Sequence, residues 1–211
     1  RVAPEAPETP KYRLHYPGGA MALFHGEPLM VVWGTGGDKK ANRAMKEAAD
    51  LARRSCRPSW PAPNEPRDGV PIDYTLYGQL PGKPDSEVTA EDQARYNMIL
   101  LGDATQNAVV AQLAGGLPVS VAERTVRADD GFEWPFEGRA MGLLHYNPRQ
   151  PQRLIYWIAA DTADFYRAET PLMEMQGWSA AGPDFLLVHA TERQTVAARR
   201  FDSRWRWTAG Y

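Results

Sequence analysis

"PLMVVWG", Pro28 to Gly34, is a short apolar run ended by glycine, and together with the loop and helix behind it this run decides the fold. The run reads as a buried central strand. "GTGGDKKAN" (34–42) reads as a loop, and "ANRAMKEAADLARRS" (41–55) as a helix. Ala41, Ala44, Met45, Ala48, Ala49 and Ala52 fall at i, i+3, i+4, i+7, i+8 and i+11 and so form one continuous stripe. Small side chains on that stripe let the helix lie close to a sheet. Strand, glycine loop and helix together open an α/β unit.

The same alternation recurs downstream. "SEVTAEDQARYN" starts a short helix, with Thr89 as N-cap and Asp92 in the capping-box position. "MILLGD" (98–103) is a second buried strand, and "ATQNAVVAQLAGG" a second helix stopped by Gly115 and Gly116. "LPVSVAERTVRA" and "AMGLLHYNP" read as strands, and "QRLIYWIAA" (152–160) as a third strong buried run. "DTADFYRAETPLMEMQG" reads as a helix broken near Pro171, and "PDFLLVHA" as a fourth strong run. "IDYTLYG", inside the Pro-, Gly- and charge-rich stretch 57–87, is a further strand candidate. In "TVAARRFDSRWRW", Ala197, Phe201, Trp205 and Trp207 share one parity, and Arg200, Asp202, Arg204 and Arg206 the other. That pattern suits a half-exposed strand or hairpin. The expected architecture is α/β: a doubly wound, mostly parallel sheet of flavodoxin or Rossmann type, with an antiparallel extension near the C-terminus.

Residues 1–22 carry four prolines and read as a linker or arm, leaving 23–211 as a single domain. The chain opens on Arg1, which suits a processed product or an excised piece. A net charge of −2 gives no global bias toward nucleic acid, and no apolar run approaches the roughly 18 residues of a membrane span. One cysteine, Cys56, excludes a disulfide within the chain; beside Arg53, Arg54 and Arg57 its pKa could be lowered. His15, His25, His145 and His189 lack ligand spacing, so no metal is expected. The arginine and tryptophan tail reads as a solvated strand face rather than a nucleic-acid surface, given the overall charge.

Three motifs bear on chemistry. "GWSAAG" holds Ser179 in a G-x-S-x-A pattern, with Asp184 and His189 following in hydrolase order. A nucleophile elbow needs strand, turn, helix, whereas here a helix precedes and a strand follows. Asp184 and His189 also sit at the two ends of one strand, about 15 Å apart at about 3.3 Å per residue. No catalytic residue is assigned. The loop Gly34-Thr35-Gly36-Gly37-Asp38-Lys39-Lys40 stands where a phosphate would meet a helix N-terminus. It matches neither G-x-G-x-x-G nor a P-loop, and the simpler reading is a glycine-rich turn with Asp38 as cap. The loop Gly102 to Asn107 occupies the equivalent place after the second strand, where Asp103 and Asn107 can bind a polar ligand or cap the helix.

A further set of positions carries a resemblance. These are Thr89, Glu91, Asp92, Asn97, Gly102, Asp103 and Asn107; Tyr146-Asn147-Pro148 followed by Pro151, Gln152 and Arg153; and Phe201-Asp202 with Trp205. In this order, over roughly residues 28–207, they resemble the domain found C-terminal to the catalytic domain in large bacterial α/β-hydrolases of the prolyl-oligopeptidase or esterase type. The chain departs from that pattern at "HYNPRQP", where "YPNPLNP" is expected, and at "AADTADF", where the family often reads like "NSGHTF". The resemblance implies a non-catalytic accessory domain and an upstream serine hydrolase domain as partner. It also implies an exported, secreted or periplasmic protein and no cofactor. Its work would be to pack on the catalytic domain, shape substrate access, or bind a polar part of the substrate. The ligand-facing residues would be Thr35, Gly36, Gly37, Asp38, Asp103, Asn107 and Asp161. The alternative is a stand-alone domain binding a phosphate-containing small molecule, flavin or nucleotide, at the Gly34–Lys40 loop.

Overall fold

The computed structural model describes residues 22–23, 27–55, 80–167, 182–192 and 194–208. The opening unit is β1 (Leu29–Trp33) and α1 (Lys39–Ser55), followed by β2 (Gly82–Pro84), α2 (Ala90–Arg95), β3 (Asn97–Leu101) and α3 (Ala108–Leu113). Next come three short strands, β4 (Val119–Ala122), β5 (Thr125–Ala128) and β6 (Glu133–Pro135), and two long ones, β7 (Arg139–Asn147) and β8 (Gln150–Ala160). The last elements are α4 (Ala163–Arg167), β9 (Phe185–His189) and β10 (Thr195–Arg199). "IDYTLYG", Cys56, the break near Pro171 and residues 177–181 of the "GWSAAG" turn lie outside the described residues.

The sheet corrects the expected architecture. Among the described residues it has seven strands in the order β10-β9-β7-β8-β3-β1-β2, and β4-β5-β6 form a second, three-stranded antiparallel sheet. β1 pairs in parallel with β2 and β3, and β3 with β8. The pairings β8–β7, β7–β9 and β9–β10 are antiparallel. The fold is therefore a mixed α/β arrangement split into a parallel and an antiparallel half, not a doubly wound parallel sheet. The cause is local. Only Pro148 and Arg149 separate β7 from β8, and a parallel crossover needs a dozen residues or more. The two longest strands must therefore pair as a hairpin, placing a reversed strand within the sheet. The segment expected as further strands of the same sheet instead folds back on itself. Glu123 and Arg124, with φ of 51° and 58°, make the two-residue turn between β4 and β5.

The parallel half follows the sequence pattern closely. All six stripe positions of α1 are buried, and α1 packs against β1, β2 and α4. Every residue of β3 is buried, so both of its faces are covered. Leu154 to Ala160 of β8 are buried as well. Thr89 and Asp92 form the expected capping box on α2.

The antiparallel half is covered differently. The small sheet lies against it, with the ring of Trp134 5.5 Å from that of Phe185. Beyond β10 the chain folds into a clasp in which Phe201 and Trp207 form a β-bridge. Asp202 Oδ1 accepts hydrogen bonds from the backbone N–H groups of Arg204 and Arg206 and shapes the turn. Phe201 and Trp205 are buried, as the alternation of the tail requires, while Trp205 takes a φ of 60° rather than extending a strand.

Candidate functional site

In a sheet with parallel strands, loops at their carboxyl ends are the usual ligand-facing surface. Here that crest is built from the loops after β1, β2, β3 and β8. Its backbone is tightly crossed. The Gly34 N–H donates to the Leu101 carbonyl (2.9 Å), and the Gly36 N–H to the Gln106 carbonyl (2.8 Å). A Cβ on Gly34 would intrude on the Gln106 carbonyl, so only glycine admits this approach. Gly102 has a φ of 108°, again a glycine conformation, and its carbonyl accepts from Trp157 Nε1 at 2.8 Å.

The structure brings Thr35, Gly36, Gly37 and Asp38 beside Asp103 and Asn107. Thr35 Oγ1 donates to Asp85 Oδ1 (2.6 Å), while Asp85 Oδ2 accepts from the Ala108 N–H (2.6 Å), at the first turn of α3. Asp38 Oδ1 accepts from the Ala41 N–H (2.7 Å) and caps α1. Asn42 Nδ2 donates to the carbonyls of Thr35 and Gly37. Asp103 Oδ1 accepts from the N–H groups of Thr105 and Gln106 and from Thr105 Oγ1, an Asx turn. Asn107 is fully buried. Its Oδ1 accepts from Val109 and Val110 N–H, and its Nδ2 donates to the Leu101 carbonyl (2.9 Å). Asp161 is engaged elsewhere. Its Oδ2 accepts from the Gly138 N–H (2.8 Å), with Arg124 at 3.9 Å, so it ties β8 to the loop before β7. Tyr166 lies buried, its hydroxyl accepting from the Ala160 N–H (3.0 Å), and burial pushes its ionisation up. Each carboxylate expected to face a ligand thus holds backbone N–H groups of its own chain.

Asp85 was not visible in the sequence. It sits in the Pro-, Gly- and charge-rich stretch 57–87, and its partners Thr35 and Ala108 are 50 and 23 positions away. No local periodicity could have signalled it.

The hydrolase-like motif has no assembled triad among the described residues. Ser179 lies outside them. Asp184 is buried, and its Oδ2 accepts from the Phe201 N–H (2.9 Å), which fixes the root of the clasp. His189 ends β9 with its N–H on the Gln194 carbonyl. His145 is buried in β7 with Nδ1 3.0 Å from the Tyr146 carbonyl oxygen, and burial pushes its pKa down to about 4. Among the described residues no group of three or more His, Cys, Asp or Glu side chains is placed to hold a metal. No helix there is long and apolar enough to cross a membrane.

The positions that carry the hydrolase-domain resemblance have structural uses. Asn97 donates to the Leu23 carbonyl (3.0 Å) and accepts from the Leu154 N–H (2.8 Å), tying the entering chain to β3 and β8. Arg153 pairs with Glu27 and donates to the Ala94 carbonyl. Phe201, Asp202 and Trp205 make the clasp. Compared with models of protein families, with curated proteins and with solved structures, the chain matches none.

Proposed function

We propose that this domain is a non-catalytic accessory module that packs on, or shapes substrate access to, an upstream serine hydrolase domain of the same, exported protein. The observation that carries this reading is the state of the crest. Asp38, Asp85, Asp103, Asn107 and Asp161 all accept hydrogen bonds from the chain's own backbone N–H groups. Groups committed in this way hold loops in shape; they are not poised to move a proton or attack a carbonyl. A crest made rigid by caps presents a fixed surface, which suits docking against another domain.

The phosphate-binding alternative has less support. The first turn of α1 has no acidic residue, but Asp38 precedes it and already takes the Ala41 N–H that an anion would need.

The test is hydrolysis of short-chain esters and proline-containing peptides. This chain alone is assayed beside the longest natural product of the same gene. Activity in the longer product only is the expected result. Activity of the isolated chain that disappears in Ser179→Ala overturns the proposal and restores the hydrolase reading of "GWSAAG". Flavin or nucleotide absorbance that co-purifies with the chain would favour the alternative.

A further inference from the structure

We propose that the C-terminal clasp, residues 200–208, is an acid-released latch: a second proton on His145 expels Phe201 and Trp205 and opens the β9–β10 edge, while the parallel half stays folded. The inference is independent of the accessory-domain reading.

His145 is 3% exposed. Its Nδ1 lies on the Tyr146 carbonyl, so in the neutral ring Nδ1 carries the proton and donates. The ring meets Tyr146, Trp205 and Phe201 at centroid distances of 4.1, 5.3 and 5.4 Å. Two of these three rings belong to the clasp. The acidic groups on the packed elements and Arg199 are engaged elsewhere, and Arg204 is exposed. Asp184 holds the Phe201 N–H, Asp202 pairs with Arg206, and Arg199 pairs with Asp130. Among the described residues none of them forms an ion pair with His145. A charged imidazolium would therefore sit in an apolar seat with no carboxylate to receive it.

The element that must move is also the one under backbone strain. Trp205 occupies the left-handed region, where a bulky side chain is disfavoured. Release relaxes that conformation.

The direction with pH comes from linkage. Burial lowers the His145 value from 6.5 to about 4. Its contribution to closure is complete above pH 6.5, is lost as pH falls toward 4, and stays lost below. Asp130, hydrogen-bonded by Arg199, and Asp202, held by the Arg206 N–H, lie below the ordinary carboxylate range. Both therefore keep their charge through most of that window.

The experiment follows tryptophan indole N–H signals of the full chain by NMR from pH 7.5 to 4, with far-UV circular dichroism on the same samples. His145→Phe and His145→Gln are measured beside the wild type. The expected result is that the Trp205 and Trp207 signals shift with the titration of the His145 ring. In the window the open-to-closed ratio should rise about tenfold per pH unit, with the secondary structure retained. Both variants should lose the shift. Clasp signals unmoved to pH 4, circular dichroism lost together with them, or the same transition in both variants would each overturn the proposal. If the variants fold poorly, the wild type decides. Coincident midpoints for the His145 ring and the clasp signals support the latch, and separate midpoints refute it.

Discussion

The two halves of the large sheet solve one problem in different ways. In the parallel half, β1, β3 and β8 are enclosed by helices and by loops whose polar groups close on nearby backbone. The alanine stripe of α1 covers β1 with almost no side-chain entropy to lose. In the antiparallel half, the described cover is a small sheet and a clasp joined by aromatic rings and ion pairs. The guanidinium of Arg199 lies between the rings of Phe132 (4.8 Å) and Trp207 (4.4 Å) and pairs with Asp130. Trp207 Nε1 donates to Asp129 (2.7 Å). Both halves have their backbone ladders; the parallel half adds helices and polar caps that close on backbone, and the antiparallel half adds aromatic and cation–π contacts between the small sheet, β10 and the clasp. The first should fail all at once, and the second in pieces.

The largest effect is expected from Trp157→Ala. Trp157 is 2% exposed in the middle of β8 and anchors the Gly102 carbonyl. Its truncation should cost about 3–5 kcal/mol, read as a lower urea midpoint with an unchanged slope. A loss confined to tryptophan signals of the clasp, with the rest intact, would break the claim that the parallel half is one cooperative unit.

Next in size is Asn107→Ala, with an expected cost of about 2 kcal/mol. It removes two N-cap bonds and the bond to the Leu101 carbonyl at a buried site. Urea unfolding measures it. Asn107→Asp should recover part of the loss, because Oδ1 still caps α3 while the donor is gone. If Asn107→Ala were neutral, Asn107 would not be a structural cap, and its candidacy as a ligand residue would gain weight.

The ease of reading the sequence follows the same division. The α1 stripe, the Thr89–Asp92 capping box and the buried runs of β1, β3 and β8 are all written within a few residues of where they act. The sequence also held the clue that refutes the doubly wound sheet, because the connection at Pro148-Arg149 is too short for a crossover. That clue was outweighed by the apolar runs on either side, which read alike whether strands pair in parallel or not. The candidate site was legible only as position. Thr35 to Asp38 and Asp103 to Asn107 do meet at the carboxyl ends of the strands, but Asp85, which joins them, depends on a contact spanning 50 residues. The diversion of Asp161 to Gly138 depends on one spanning 23. Neither spacing leaves a periodic trace. The tail was half-legible: its parity gave the buried aromatics, but not the left-handed turn at Trp205.

In the antiparallel half, Arg199→Met should cost about 1–2 kcal/mol. It removes two cation–π contacts and the partner of Asp130, while the methionine keeps the apolar stem in place. The loss should register on the clasp first, as earlier proteolytic cleavage after Arg200, Arg204 or Arg206 with little change in the global midpoint. Equal shifts of both readouts would mean that the halves unfold as one.

The smallest effect is expected from Phe132→Ala. Phe132 stacks on Trp134 (5.9 Å, 12° between planes) and under Arg199, yet it is 56% exposed. An exposed ring recovers little hydrophobic free energy on folding, and Asp130 still orients the guanidinium after the ring has gone. The change should stay within about 0.5 kcal/mol, read by the same clasp proteolysis as Arg199→Met. The pair of variants then separates two ways of holding the small sheet on the large one. If Phe132→Ala is mild and Arg199→Met is not, the charge pair and the ring of Trp207 hold the joint. If Phe132→Ala costs as much as Arg199→Met, the joint is a cooperative stack in which the outer ring completes the packing of the inner one, and the antiparallel half is less divisible than its separate contacts suggest.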